Sequence, residues 1–554
     1  MPQHPRLPMT PSSRSRIPPL RPWQVRALTA LEHWRGGSFL ISAAPGAGKT
    51  RPALEQARRM LKDGRADRIV LVCPTVPLTR QWARAAGRLG LHLVPDAETP
   101  RPPKDFDGIA VTYARVAASG ARWSSLVSPG TLVIADEAHH LGEDLAWGEG
   151  FAAAFARTDK TLLLSGTPFR SDATPIPGMR YDRDGVVVPD ISYTYAEAVR
   201  DTVCRPVAFI TYDGTLSWQS GADVVESTFD TILTPREASR RYRTAISTEL
   251  PDGLPRILRE AHERLAEVRA SGHKDAAGLV VAADGTHARQ IAALMREVIG
   301  RAPTVVLHTE ARAAQKLAAF TESRDEWLVA VNMVSEGVDI PRLRVGVYAT
   351  AAKTPLIFRQ IVGRFVRTIP GRRGDLSWMY LPADPVLCQH AEDVEGELRP
   401  VLRGPGDEGF NDPVERERAA RDPDDEPEVF VPLSADVVPQ MTLFGPPAGA
   451  PGGPPAPRLV PSFPAAISAS AAAAPGDAAD DEETPGMPAY ERRALLRDKR
   501  HRLVGDLRRR NGGTPAEINL WLNRETGVTR VQEATLAQLQ QSVELLLDRL
   551  TSRR

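Results

Sequence analysis

With 70 basic and 69 acidic side chains in 554 residues, the chain has a net charge of +1. No global field marks it for a polyanion or a membrane, and any basic site must be local. Its 42% hydrophobic and 25% charged content is that of ordinary globular protein, and its length allows two or three domains. Cys73, Cys204 and Cys388 lie far apart without a CxxC pair, which excludes a cysteine-rich zinc module and argues against a disulfide framework. No apolar run reaches membrane-spanning length and the N-terminus lacks an apolar signal core, so a cytoplasmic location without a membrane partner is expected.

In chain order, residues 1–17 are rich in Pro, Ser and Arg and read as a disordered arm. Over 18–170, short apolar runs at 38–42, 69–73, 108–112, 131–135 and 160–164 alternate with helical stretches. That alternation predicts a parallel sheet with helices on both faces. Residues 171–250, with Val186-Val187-Val188 and Ile191-Ser192-Tyr193-Thr194-Tyr195, read as a bridging or inserted segment. A second series at 277–282, 304–308, 327–331, 345–349 and 376–381 gives a second α/β domain over 251–400. Residues 401–488 shift to Pro, Ala, Gly and acidic residues and read as a disordered linker. Residues 489–554 regain helical periodicity as a small basic module, with Arg508-Arg509-Arg510 as a local cluster and Trp521 as a core residue. The class is therefore α/β, with two tandem parallel-sheet domains.

The chemistry concentrates at the ends of predicted strands. Ala44-Pro45-Gly46-Ala47-Gly48-Lys49-Thr50 follows the first strand and reads as a phosphate-binding loop. Backbone amides from Gly46 to Thr50 wrap a polyphosphate, Lys49 neutralises it, and the Thr50 hydroxyl faces Mg²⁺. The usual spacing places a glycine at position 43, which is alanine here, acceptable if residue 43 keeps a negative φ. Asp136-Glu137-Ala138-His139 ends the strand Leu132-Val133-Ile134: Asp136 is the candidate metal ligand and Glu137 the group that polarises water. The bland alternative, a solvated acidic turn, is disfavoured because that strand delivers both carboxylates to the ligand-binding edge. Together the two motifs predict hydrolysis of a nucleoside triphosphate, ATP with Mg²⁺.

In these residues the chain resembles superfamily 2 DEAD/DEAH-box helicases, in the branch of type III restriction motor subunits, XPB-like and RadD-like repair helicases and phage helicases. The resemblance covers roughly 18–385 and implies two RecA-like domains. Leu20-Arg21-Pro22-Trp23-Gln24 resembles the adenine-reading motif, with Arg21 and Gln24 at the base. Ser165-Gly166-Thr167-Pro168 stands at the coupling motif, which with His139 links hydrolysis to movement. Pro74-Thr75 with Gln81-Trp82, and Val111-Thr112-Tyr113, resemble segments that grip a nucleic-acid backbone. Ser335-Glu336-Gly337-Val338-Asp339 resembles the motif touching ribose through Gly337 and Asp339 and the nucleic acid through Ser335. Gln360-Ile361-Val362-Gly363-Arg364-Phe365-Val366-Arg367 resembles Q-x-x-G-R-x-x-R, whose arginines reach the γ-phosphate only when the two domains close. Alone, Arg364 and Arg367 could equally be a solvated helix face.

The resemblance implies an ATP-dependent DNA helicase or translocase of repair, recombination or phage replication, with little sequence preference. The alternatives are a restriction or anti-phage motor subunit with a separate nuclease partner, and an RNA helicase. Within the linker, Gln440-Met441-Thr442-Leu443-Phe444 resembles the pentapeptide that docks on the sliding clamp: Leu443 and Phe444 would fill an apolar pocket with Gln440 at its rim.

Overall fold

The computed structural model describes residues 18–99, 101–143, 145–166, 175–183, 186–220, 223–307, 309–310, 312–331, 340–369, 372, 375–402, 430–439, 487–511 and 514–551. Two sheets organise them. The first contains β1 (Gly37–Ala43), β2 (Arg68–Cys73), β3 (Leu93–Val94), β4 (Gly108–Thr112), β5 (Thr131–Asp136), β6 (Lys160–Ser165) and β7 (Ile191–Tyr193), in the order β3-β4-β2-β5-β6-β1-β7. Every pairing in it is parallel. Side chains alternate between two buried faces: Ile69 and Leu71 of β2 join the core shared with the second domain, while Val70 and Val72 pack against the helices of residues 113–155. Burial on both faces is why these strands read as continuous apolar runs.

The second sheet contains β8 (Val207–Ser220), β9 (Asp223–Ser227), β10 (Ala277–Ala282), β11 (Thr304–Val306), β12 (Trp327–Val331), β13 (Leu343–Ala349), β14 (Ser377–Pro382) and β15 (Phe430–Pro439). Its order is β11-β12-β10-β13-β14-β8-β15, with β9 also on β8. The five strands from β11 to β14 are parallel, as is β8 on β14; β9 and β15 run antiparallel to β8. These are two RecA-like α/β domains. Among the described residues no helix is long and apolar enough to cross a membrane.

Three features differ from the sequence expectations. Residues 171–250, expected as a bridging or inserted segment, supply a strand to each sheet: Ile191–Tyr193 extends the first beside β1, and Val207–Ser220 enters the second beside β14. Each sheet needs that strand to cover an edge, and a three-residue strand leaves almost no periodic signal. Second, the stretch expected as linker contains β15, which alternates buried Ala435 and Val437 with exposed neighbours and shifts register near Pro432, which cannot donate to the ladder. Third, the C-terminal helices pack on the first domain. Arg84, on α3 (Val76–Arg88), donates from Nε to Tyr490 Oη at 3.0 Å and pairs with Glu491 at 3.3 Å, while the Leu536 amide donates to Asp105 at 2.8 Å. In that module Trp521 packs on the Leu522–Leu546 core, with the Arg549 guanidinium 4.4 Å from its ring.

Candidate nucleotide site

The phosphate loop runs from the end of β1 to α2 (Thr50–Lys62), at the carboxyl edge of the first sheet. Gly46 and Gly48 have φ of +77° and +89°, the left-handed region that glycine enters without strain. Ala43 is not among the described residues with positive φ, so alanine replaces glycine there at no backbone cost. The helix α1 (Pro22–Glu32) braces the loop from behind. Arg21 Nη1 and Trp23 Nε1 donate to Ala47 O at 2.8 and 3.2 Å, and Gln24 Nε2 donates to Gly48 O at 3.1 Å. Gln24 Oε1 accepts the Arg21 amide at 2.9 Å. Arg21 and Gln24, expected at the base edge, are thus placed on the loop's own carbonyls, and a Cβ on Gly48, already disfavoured by its positive φ, would also crowd Gln24 Nε2 at 3.0 Å.

Asp136 ends β5 and is only 8% exposed. Its Oδ2 accepts the Trp82 indole N–H at 2.7 Å, and its carbonyl accepts the Tyr113 hydroxyl at 2.8 Å. Trp82 and Tyr113 belong to segments expected to grip nucleic acid, yet both side chains turn inward to the acidic pair. Burial, then the Glu137 charge, push the Asp136 carboxyl up to about 6, against the pull of Lys49 and Trp82. For Glu137, burial pushes upward but is outweighed by Lys49, His139, His140 and Arg364, which bring its carboxyl down to about 2. A buried carboxylate left short of positive charge, on the same sheet edge as the phosphate loop, fits a divalent cation. Among the described residues no three His, Cys, Asp or Glu side chains form a metal cage. Mg²⁺ needs none, since it takes one or two protein oxygens and completes its shell with phosphates and water.

Glu137 has φ of +51°, a strained conformation for a residue with a Cβ. Its Oε1 lies 3.9 Å from Lys49 Nζ, which also donates to Ala43 O at 3.2 Å. Two residues on, His139 is 2% exposed and joins three motifs. Nδ1 sits 3.1 Å from Ser165 Oγ and 3.5 Å from Glu137 Oε2, while Nε2 sits 3.2 Å from Gln360 Nε2. An amide nitrogen can only donate, so Gln360 Nε2 donates to His139 Nε2, which leaves Nδ1 facing Ser165 and Glu137.

Gln360 lies on the helix Pro355–Val362 of the second domain, and the turn after it presses on the phosphate loop. A Cβ on Gly363 would lie 2.8 Å from Pro45 Cβ, and one on Gly46 would lie 3.3 Å from Arg367 Cγ. Arg364 is close enough to lower Glu137, and Arg367 bridges to Cys204, whose thiol reaches Pro45 O at 3.4 Å. A cavity of about 410 Å³ opens between the domains beside Pro45 and Gly166, walled by Tyr193, Val362 and Val366. Lys49, Glu137, His139, Ser165, Gln360, Arg364 and Arg367 therefore converge. Thr75 and Thr112 sit farther along the same sheet edge: the Thr75 hydroxyl is buried without a hydrogen-bond partner, and Thr112 caps a helix by accepting the Arg115 amide at 3.4 Å. Thr167, Ser335, Gly337, Asp339, Gln440, Leu443 and Phe444 lie outside the described residues.

The fold and this site define a helicase-type motor of superfamily 2, and residues 17–170 match the family described as type III restriction enzyme, res subunit. The chain belongs to one family with the uncharacterised mycobacterial proteins it matches over most of their length. It is 39% identical over 421 residues to uncharacterized protein Rv2917 of Mycobacterium tuberculosis, covering 74% of this chain and 69% of that one. It is 37% identical over 447 residues to uncharacterized protein ML1624 of Mycobacterium leprae, covering 77% and 73%. Among solved structures, the ATP-dependent Type ISP restriction-modification enzyme LlaBIII bound to DNA aligns with a TM-score of 0.46 and 15% identity, over 69% of this chain. The chain spans 30% of the length of that enzyme.

Proposed function

We propose that the chain is an ATP-driven motor on DNA, coupling hydrolysis to closure of the cleft between its two domains. The observation that carries this reading is the His139 relay, in which one buried ring contacts Glu137 and Ser165 on the phosphate side and Gln360 on the opposing domain. In this account the loop amides and Lys49 hold the β- and γ-phosphates, and Glu137 orients the attacking water. Mg²⁺, held by Thr50 and Asp136, would supply charge neutralisation between the phosphates. Arg364 and Arg367 complete the site from the second domain, so turnover follows closure. Loss of the γ-phosphate releases that closure, and the Gln360–His139 contact reports it to the acidic motif.

Thr75, Thr112 and Ser335 are the proposed backbone contacts to the nucleic acid, which gives little sequence preference. Strand-displacement and triplex-displacement assays with ATP test the reading: the first scores unwinding, the second translocation on duplex, and inactivity in both contradicts a motor. A second reading, a restriction or defence motor subunit with a separate nuclease, is supported by the res-subunit match. It predicts ATP-dependent DNA cleavage only when a nuclease partner is added.

A further inference from the structure

The C-terminal module and the outer edge of the first domain enclose a groove of about 360 Å³ that the nucleotide chemistry does not use. It lies past the carboxyl end of β3, between the segment Pro95–Pro103, Arg80 of α3 and the helix Ala489–Asn511. Because the first sheet is parallel, this is the edge that also carries the phosphate loop, Thr75 and Thr112. Arg80 stands five residues into α3 from Thr75, about 7 Å along the helix axis.

The charges around the groove are unequal. Arg80, Arg101, Arg493 and Arg497 line it against Asp96 and Glu98. Asp96 is already paired with Arg115 at 3.1 Å, and the Arg493 guanidinium is tied to the carbonyls of Gln532 and Ala534. Arg80, Arg101 and Arg497 have neither an ion pair nor a side-chain hydrogen bond among the described residues, and all three are exposed. Crowding is felt nearby: burial and then the Arg497 charge bring Arg493 down to about 10. Docking of the module does not require these three arginines, since Arg84 with Tyr490 and Glu491, and Asp105 with Leu536, form the contact. Three unpaired guanidiniums against the one remaining carboxylate, Glu98, leave the groove with an excess of positive charge that suits a chain of phosphates, which guanidinium favours. The aromatic in the lining, Tyr490, is committed to Arg84 and Glu491, so the groove offers no free stacking platform for bases.

We propose that this groove holds the phosphodiester backbone of the nucleic acid flanking the segment engaged by the motor domains. The proposal rests on the motor reading above and adds a site that only this chain's C-terminal module completes. It makes the module a grip that lengthens the footprint without reading sequence.

The test uses the full chain and its R80Q/R101Q/R497Q variant, with each single substitution as a check on folding by thermal unfolding. Anisotropy of labelled DNA is followed across a salt series, on a short single strand and on the same strand with a long duplex flank. On the flanked DNA the triple variant should bind about 10- to 100-fold more weakly, with a salt slope shallower by about 2 to 3, roughly 0.9 for each phosphate no longer neutralised. The short strand should bind as before, and the ATPase rate at saturating DNA should be unchanged. Equal affinities and slopes for both proteins on flanked DNA would overturn the groove while leaving the motor intact. If the wild-type chain binds no nucleic acid, the motor reading falls with it. Displacement of an acidic polypeptide, with no effect on DNA, would assign the groove to a protein partner and also overturn it.

Discussion

Replacing Gln360 with Ala removes the side-chain hydrogen bond that crosses the cleft to His139, while leaving the phosphate loop and both acidic residues in place. The ring accepts at Nε2 and is 2% exposed, so the substitution leaves a buried acceptor without its donor. Such a loss costs about 1–3 kcal/mol. If the contact belongs to the closed, reactive state, the DNA-stimulated kcat should fall about 5- to 150-fold, at 1.4 kcal/mol per factor of ten. That is less than the roughly 10³-fold or greater loss expected for Arg364→Ala or Arg367→Ala if these side chains act as arginine fingers. ATP affinity should barely change, because Gln360 touches His139 and not the loop. Ser165→Ala removes the partner of the opposite ring nitrogen, so the two substitutions should be non-additive in a double-mutant cycle. Steady-state ATPase with saturating DNA, paired with equilibrium binding of a fluorescent ATP analogue, reads both quantities. An unchanged kcat for Gln360→Ala, or strict additivity with Ser165→Ala, would refute the relay.

Glu137→Gln should keep ATP binding, abolish turnover and trap a nucleic-acid complex that survives gel filtration; normal turnover would remove Glu137 from its role. Gly363→Ala places a Cβ 2.8 Å from Pro45, so it should hold the cleft ajar, lowering kcat at least tenfold and blunting any ATP-dependent contraction seen by small-angle scattering. Wild-type contraction and rate in that variant would contradict the close approach. His273 is held down to about 4, first by burial and then by the Arg344 and Arg372 guanidiniums, against Asp275. The unfolded chain therefore binds the extra proton between about pH 4 and 6.5, and stability is lost as pH falls through that window, by up to about 1.4 kcal/mol per pH unit. Urea unfolding of His273→Asn should show a flatter pH profile than wild type over that range, and parallel profiles would contradict it.

Much of the fold was legible because β1, β2, β4, β5, β6, β10 and β12 are buried on both faces and stand out as apolar runs between glycine-rich or polar turns. Three of the edge strands were not, although β11 at the edge of the second sheet was. β3 and β7 have two and three residues, and the polar alternation of β15 is diluted by a proline-rich surround. The phosphate loop and the acidic motif could be read because neighbours in sequence supply all their parts. What Trp82 and Tyr113 do could not: Asp136 lies 54 and 23 residues away, and only the parallel packing of β2, β4 and β5 brings them to it. The same holds for Gln24, whose amide turns to Gly48 because α1 lies against the loop. The docking of the C-terminal module was invisible for another reason: Arg84, Tyr490 and Glu491 are ordinary surface residues until the chain brings them together across about 400 positions.

Hydrolysis of ATP at this site under the control of a nucleic-acid track is best examined by steady-state ATPase of wild type and Lys49→Ala. Each is measured alone and with single-stranded, double-stranded and forked DNA and with RNA. Turnover should be stimulated by DNA and lost in Lys49→Ala. Turnover that is equal in both proteins, or indifferent to every nucleic acid, would contradict it.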